Sequence, residues 1–254
     1  MMLREEIIKL SRLHGLKPWQ EEKRYMFSMI LNTIYNESII FKGGTYLWLF
    51  HGLRRFSEDL DFTLYHRVEK DLPYIISENL ELLGIKNDVK ILKNNEITFS
   101  FRILSEGPLN TGYRDRVPVY IEISERESII KNPLQIKFDF PEYNLPVRLL
   151  YGMDLNEVLS EKIRAIYIRK KPKDVYDLYY LLSKKDVYCD LYMVNKKLEY
   201  YNIKFDLNTF ENKLNSQKGT FNKELKNLVL DNLPEINTII PEIILWINNN
   251  IDKK

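Results

Sequence analysis

The chain is poor in the residues that would announce several common protein classes. One cysteine, Cys189, stands among 254 residues, so no internal disulfide can form and a reducing cytoplasm is the expected setting. Three histidines (His14, His51, His66) and that single cysteine are too few and too scattered for a zinc site. No apolar run reaches membrane-spanning length, and the opening Met1-Met2-Leu3-Arg4-Glu5-Glu6 is acidic and lacks the apolar stretch of a signal peptide. Charge of one sign is missing as well: 38 Lys+Arg oppose 36 Asp+Glu, a net of +2. This excludes wrapping of nucleic acid by bulk charge and leaves a local basic patch open. No fixed-period repeat occurs, and the longest low-complexity stretch is Asn248-Asn249-Asn250.

What the chain does have is enough apolar content, 44%, for a sizeable core. Two halves read differently. From residue 1 to about 150, helical and strand patterns mix. Leu3 to Leu13 has helical apolar spacing with Gly15 as its stop, and Pro18 opens a second helix. Ile39-Ile40-Phe41 reads as a short strand, broken by Gly43-Gly44 before a helix over Thr45 to Leu53. Leu60, Phe62 and Leu64 alternate with Asp59, Asp61 and Thr63, and residues 97–101 and 117–123 alternate likewise. Residues 151–254 are helical in pattern almost throughout, with candidates at 154–169, 173–183, 190–200, 208–215, 221–230 and 241–249. The expected architecture is α+β: a small mixed sheet flanked by helices in residues 1–150, then a helical bundle in 151–254.

Four segments could carry chemistry. Lys42-Gly43-Gly44-Thr45 sits between a strand and a helix, where glycines let backbone N–H groups approach a phosphate and the helix N-terminus favours anions. An ordinary turn has the same look. In Arg55-Phe56-Ser57-Glu58-Asp59-Leu60-Asp61-Phe62, strand geometry projects Asp59 and Asp61 from one face. Paired carboxylates repel unless offset, most simply by a divalent cation, although a solvated strand face would look alike. Glu122 is an acid inside the apolar strand Val117 to Ser124, and it completes a carboxylate trio if that strand neighbours the first. Finally, Glu161-Lys162 and Arg169 on one helix precede Lys173-Asp174 and Asp177 at the start of the next, which by itself could be a hairpin laced with salt bridges.

Taken together these segments resemble the polymerase β-like nucleotidyltransferase superfamily, and more narrowly the AbiEii (MenT-like) toxins of type IV toxin–antitoxin systems. The resemblance rests on Gly43-Gly44-Thr45, Arg55 to Asp61, Glu122, Glu161 to Arg169 and Lys173 to Leu178, and it spans residues 43 to 178. Lys173 stands where the family pattern has arginine, and Glu122 where some members have aspartate. The resemblance implies a phage-defence or toxin–antitoxin enzyme that moves a nucleoside monophosphate from an NTP to an RNA hydroxyl, the tRNA 3′ end first among them. Asp59, Asp61 and Glu122 would hold two Mg²⁺ ions. Gly43, Gly44, Thr45, Arg55, Ser57 and Lys162 would contact the nucleotide, and Lys162 and Asp174 would reach the cleft from the helical half and join the catalytic set. A cognate antitoxin is the implied protein partner, with a monomeric, cytoplasmic enzyme and no membrane association. The basic cluster Arg164, Arg169, Lys170, Lys171 and Lys173 could hold acceptor phosphates or merely be a solvated helix end. Two other readings stay open: a nucleotidyltransferase acting on a protein hydroxyl or small molecule, and a non-catalytic binding module of the same fold.

Overall fold

The computed structural model describes residues 1–35, 38–66, 70–126 and 128–251. It divides into two compact units. The first comprises Met1–Tyr46, Phe56–Ile129 and Pro133–Gly152, and the second Leu47–Arg55, Ile130–Asn132 and Met153–Lys254.

The first unit opens with α1 (Arg4–His14) and α2 (Pro18–Thr33). Gly15 ends α1 in the left-handed region (φ 66°), and its N–H bonds back to Ser11 and Arg12 carbonyls. Pro18 stands at the start of α2, where its missing N–H would have had no helical partner anyway. Then come β1 (Ile39–Lys42), the first turn of α3 (Gly43–His51), β2 (Asp59–Leu64), α4 (Leu72–Leu82), β3 (Asn87–Asn94), β4 (Thr98–Ser105), β5 (Val117–Ser124), β6 (Leu134–Phe138) and β7 (Arg148–Gly152). The strands form one seven-stranded mixed sheet in the order β3-β4-β5-β2-β1-β7-β6. β2 is central, antiparallel to β1 and parallel to β5. Its Leu60 and Phe62 share a buried face with Ile121 and Ile123 of β5 and Phe101 and Ile103 of β4, all at most 3% exposed. The helix α2 packs on β5, and α4 packs on β3 and β4. Burying that face dominates the stability of the unit, at about 1.5–3 kcal/mol for each large side chain taken out of water.

The fold class agrees with the sequence reading, but the sheet is larger than the four strands seen there. The alternation that marks β2 and β5 comes from one buried and one open face. In β7 it is masked, because Leu149 and Tyr151 are apolar yet exposed. In β3 it is interrupted by a bulge between Ile91 and Lys93.

The second unit contains the rest of α3 and α5 (Leu155–Ile168), α6 (Pro172–Leu182), α7 (Leu191–Glu199), α8 (Leu207–Asn215), α9 (Lys218–Leu225) and α10 (Ile236–Asn250). The side chains of Asp154, Asp190 and Asp206 cap α5, α7 and α8, accepting from the backbone N–H of Asn156, Met193 and Thr209. α10 begins ahead of Pro241, which lies inside the helix. Among the described residues no helix is long and apolar enough to cross a membrane.

Two short segments from the first 150 residues group with this helical unit, and the reasons are specific. Glu157 accepts hydrogen bonds from the backbone N–H of Ile130 and Lys131 at 3.0 and 2.9 Å while its Oε1 also receives Lys197 Nζ at 2.6 Å. The His51 carbonyl accepts from Tyr180 Oη and from Lys184 Nζ, the latter at 2.9 Å. The Arg54 carbonyl accepts from Leu230 N at 2.9 Å.

Candidate functional site

Each compact unit holds one cluster of candidate residues. In the sheet unit, β2 carries the two aspartates. Asp61 lies opposite Lys42 on β1 and Glu122 on β5, and Asp59 lies opposite Tyr120. Partners in register share a face, so Asp59, Asp61 and Glu122 project from the side of the sheet opposite to Leu60, Phe62 and Ile121. Asp59 and Glu122 are exposed and Asp61 is half-buried. Had Glu122 lain one residue out of register, it would have faced the apolar core instead.

The glycine segment sits against this face with no loop between: β1 ends at Lys42 and α3 begins at Gly43. Gly43 has φ 77°, and a Cβ built there would meet Asp61 Oδ2 at 2.5 Å. The backbone therefore passes directly beside the Asp61 carboxylate, which only glycine permits. Gly44 and Thr45 continue the first helical turn, whose N–H groups have no partner within the helix itself. The Thr45 hydroxyl differs from the sequence expectation of a phosphate contact: it is fully buried and donates to the Asp59 carbonyl at 2.5 Å. It pins the start of β2 to the helix. Ser57 is 8% exposed, just ahead of β2.

Gly43→Ala should therefore fail twice, through left-handed backbone strain of about 1–2 kcal/mol and through displacement of Asp61. Gly15 has a similar φ of 66° and nothing within 4 Å of its would-be Cβ. Gly15→Ala should lower the melting temperature by a comparable strain while leaving activity intact. Equal activities for the two variants would show that the close approach to Asp61 is immaterial.

In the helical unit, Lys162 of α5 is held between two carboxylates of α6, with Nζ 2.9 Å from Asp174 Oδ1 and 2.7 Å from Asp177 Oδ2. Each carboxylate is gripped in turn by an arginine. Arg55 Nε and Nη2 donate to Asp177 at 2.6 and 2.7 Å, and Arg169 Nε and Nη2 donate to Asp174 at 2.8 and 3.0 Å. Arg55, Lys162, Asp174 and Asp177 are each at most 7% exposed. Burial alone would raise both aspartates, but Lys162 and Arg169 hold Asp174, and Arg55 and Lys162 hold Asp177, below the usual carboxylate range. Burial alone would likewise lower Lys162, and Asp177 and Asp174 reverse it, so the ammonium stays charged.

The sequence reading named Lys162 and Asp174, gave Arg55 to the nucleotide and read Asp177 as mainly structural. The pair is 122 positions apart, and no local pattern could reveal it. Within the basic cluster, Arg169 is committed to Asp174, and Arg164 lies near Tyr201 and Glu161, while Lys170 and Lys171 are exposed. Tyr120, the register partner of Asp59, escaped the sequence reading, and Lys42 was named there without its pairing to Asp61, because strand order cannot be read from a single strand.

Among the described residues no group of three or more His, Cys, Asp or Glu side chains is gathered tightly enough to hold a metal ion. The donor set is nonetheless all oxygen, as Mg²⁺ requires, and the missing Gly43 side chain is what lets the Asp61 carboxylate stand against the backbone. The three acids thus match a divalent cation in donor type and shared face, and not in closeness of grouping.

The family model for the AbiEii nucleotidyl transferase toxin of type IV toxin–antitoxin systems matches residues 24–240. Among solved structures, MenT4, a nucleotidyltransferase toxin from Mycobacterium tuberculosis, superposes with a TM-score of 0.63 at 13% identity, covering 98% of this chain and 90% of its own. JHP933 from Helicobacter pylori superposes with a TM-score of 0.59 at 19% identity, covering 92% and 91%. No curated protein matches the sequence. At these identities the solved structures establish the fold, and the family match, running from α2 into α10, establishes the family. The chain belongs to the AbiEii nucleotidyltransferase toxins of type IV toxin–antitoxin systems.

Proposed function

We propose that this nucleotidyltransferase moves a nucleoside monophosphate from an NTP to a hydroxyl of an RNA acceptor, the 3′ end of tRNA in the first instance, with Mg²⁺ held by Asp59, Asp61 and Glu122. The observation that carries the reading is the register of β2 against β5, which sets all three acids on one open face beside the Gly43 backbone. Mg²⁺, when bound, offsets the negative charge that builds on the reacting phosphate. The acceptor oxygen forms a bond to the α-phosphorus, the bond from the α-phosphorus to the bridging oxygen breaks, and pyrophosphate leaves with that electron pair. The hydroxyl proton passes to Glu122, the exposed acid of β5. The backbone N–H groups of Gly43, Gly44 and Thr45 receive the triphosphate at the start of α3. Ser57 shapes the approach to β2.

Lys162, kept charged by Asp174 and Asp177, is in this reading the phosphate-binding lysine that the family pattern calls for. Arg55 acts on the nucleotide only indirectly, through Asp177. A cognate antitoxin restrains the enzyme in the cell, and the enzyme itself acts as a monomer.

Incubation of the purified protein with radiolabelled NTPs and either total RNA or lysate protein tests the assignment. The expected result is label in RNA of tRNA size, abolished by a chelator and restored by Mg²⁺. Label confined to protein would sink the RNA reading.

A further inference from the structure

The face that carries the three acids continues across β4 to the outer strand β3. Its next positions in register are Tyr120, Arg102 and Lys90 in one row, and Glu122, Ser100 and Lys93 in the row beside it. At about 4.8 Å per strand the two rows run roughly 10 Å from β5 to β3. Tyr120 is 41% exposed on a strand whose opposite face is core, and Lys90 and Lys93 are exposed. Among the described residues none of Tyr120, Arg102, Lys90 and Lys93 has a side-chain hydrogen bond or ion pair, and Arg102 Nε is buried without a partner. The one nearby acid of β3 on this side, Asp88, is taken by Arg116.

The charge on this face therefore changes sign along the sheet. Acids occupy β2 and the adjoining position of β5, and unpaired cations occupy β4 and β3. The glycine turn lies beyond the acids on the other side, at the end of β1. A ligand matching this gradient has a reacting group at the acids and a trail of anions leading away from the glycine turn. A nucleoside triphosphate at Gly43 does not extend that way, and a neutral small molecule or protein hydroxyl has no anionic trail. The single-stranded end of a nucleic acid has both the trail and a flat base to stack on an exposed ring.

We infer that Tyr120, Arg102, Lys90 and Lys93 form the seat of the acceptor strand, with Tyr120 stacking a base near the reacting end and the three cations meeting the phosphates behind it. This rests on the RNA reading given above. The test measures steady-state transfer from radiolabelled NTP to total tRNA for the wild type, for Arg102→Ala/Lys90→Ala/Lys93→Ala, for Tyr120→Ala and for Tyr120→Phe.

The triple variant should raise KM for tRNA about tenfold or more with KM for the nucleotide retained. Its log(kcat/KM) for tRNA should fall less steeply with log salt, by about two units of slope for three lost phosphate contacts. Tyr120→Ala should raise the tRNA KM roughly tenfold, and Tyr120→Phe, which keeps the ring, should restore it. Unchanged tRNA KM and salt slope in the triple variant would overturn the seat while leaving the RNA reading intact. A rise in nucleotide KM instead would assign the strip to the triphosphate and overturn the seat equally. Wild-type protein that labels no RNA would remove the underlying reading itself.

Discussion

Asp61→Ala is expected to lower the rate of nucleotide transfer by roughly 10²–10³-fold or more, the effect of removing one strong electrostatic contact to the reacting group. The size follows from its place. Asp61 is the middle member of the face, between Lys42 and Glu122 in register and against the Gly43 backbone. Its loss breaks the acid row where Asp59 and Glu122 cannot bridge it. Stability should respond differently. Added Mg²⁺ should raise the melting temperature of the wild type but not of the variant. A protein that loses activity only because it unfolds would show a depressed melting curve, and a variant that labels RNA at the wild-type rate would refute the role.

The second large effect is expected on stability. Asp177 is fully buried and is the common partner of Arg55 and Lys162. Asp177→Ala leaves two buried cations short of a counter-charge, which costs about 3–5 kcal/mol. At about 2–4 °C per kcal/mol for a chain of this size, the melting temperature should fall by roughly 10 °C. The same network sets an acid limit. Asp174 and Asp177 are both depressed in the folded state below the ordinary carboxylate value, so their contribution is complete above about pH 4 and drains away as the pH falls further. Wild-type melting temperature should therefore drop steeply below about pH 4, and Asp177→Asn should start lower and drop less. Parallel curves for the two proteins would show that the acid response originates elsewhere.

How far the sequence could be read depended on whether a signal was local. Strands with one buried and one open face, β2 and β5, announced themselves by alternation, and with them the acids on the open side. The helices α5, α7 and α8 were legible in their helical pattern, and the structure adds their capping aspartates Asp154, Asp190 and Asp206. The helix α4 and the strands β3, β6 and β7 went unread: β6 and β7 have five residues each and lie among prolines, and the lysines and the bulge of β3 blur its period. Register and strand order were illegible in principle, since the alternation of one strand is silent about its neighbours. The likeness to a known family could suggest that Glu122 joins Asp61, and only the sheet supplies the pairing. The Arg55–Asp177 pair shows the same limit more sharply. Each residue sat in a recognised segment, yet nothing nearby in the chain linked them, and their buried ion pair is visible only in the structure.

The bulge in β3 has a consequence for how copies of this protein behave at high concentration. As the last strand on its side of the sheet, β3 offers unpaired main-chain groups to any passing strand. An extra residue at Leu92 spoils the even spacing that such a newcomer would need, and ammonium groups stand on either side of the irregularity. Straightening this border by deleting Leu92 and replacing its lysines with threonine should make the protein accumulate as strand-linked aggregates.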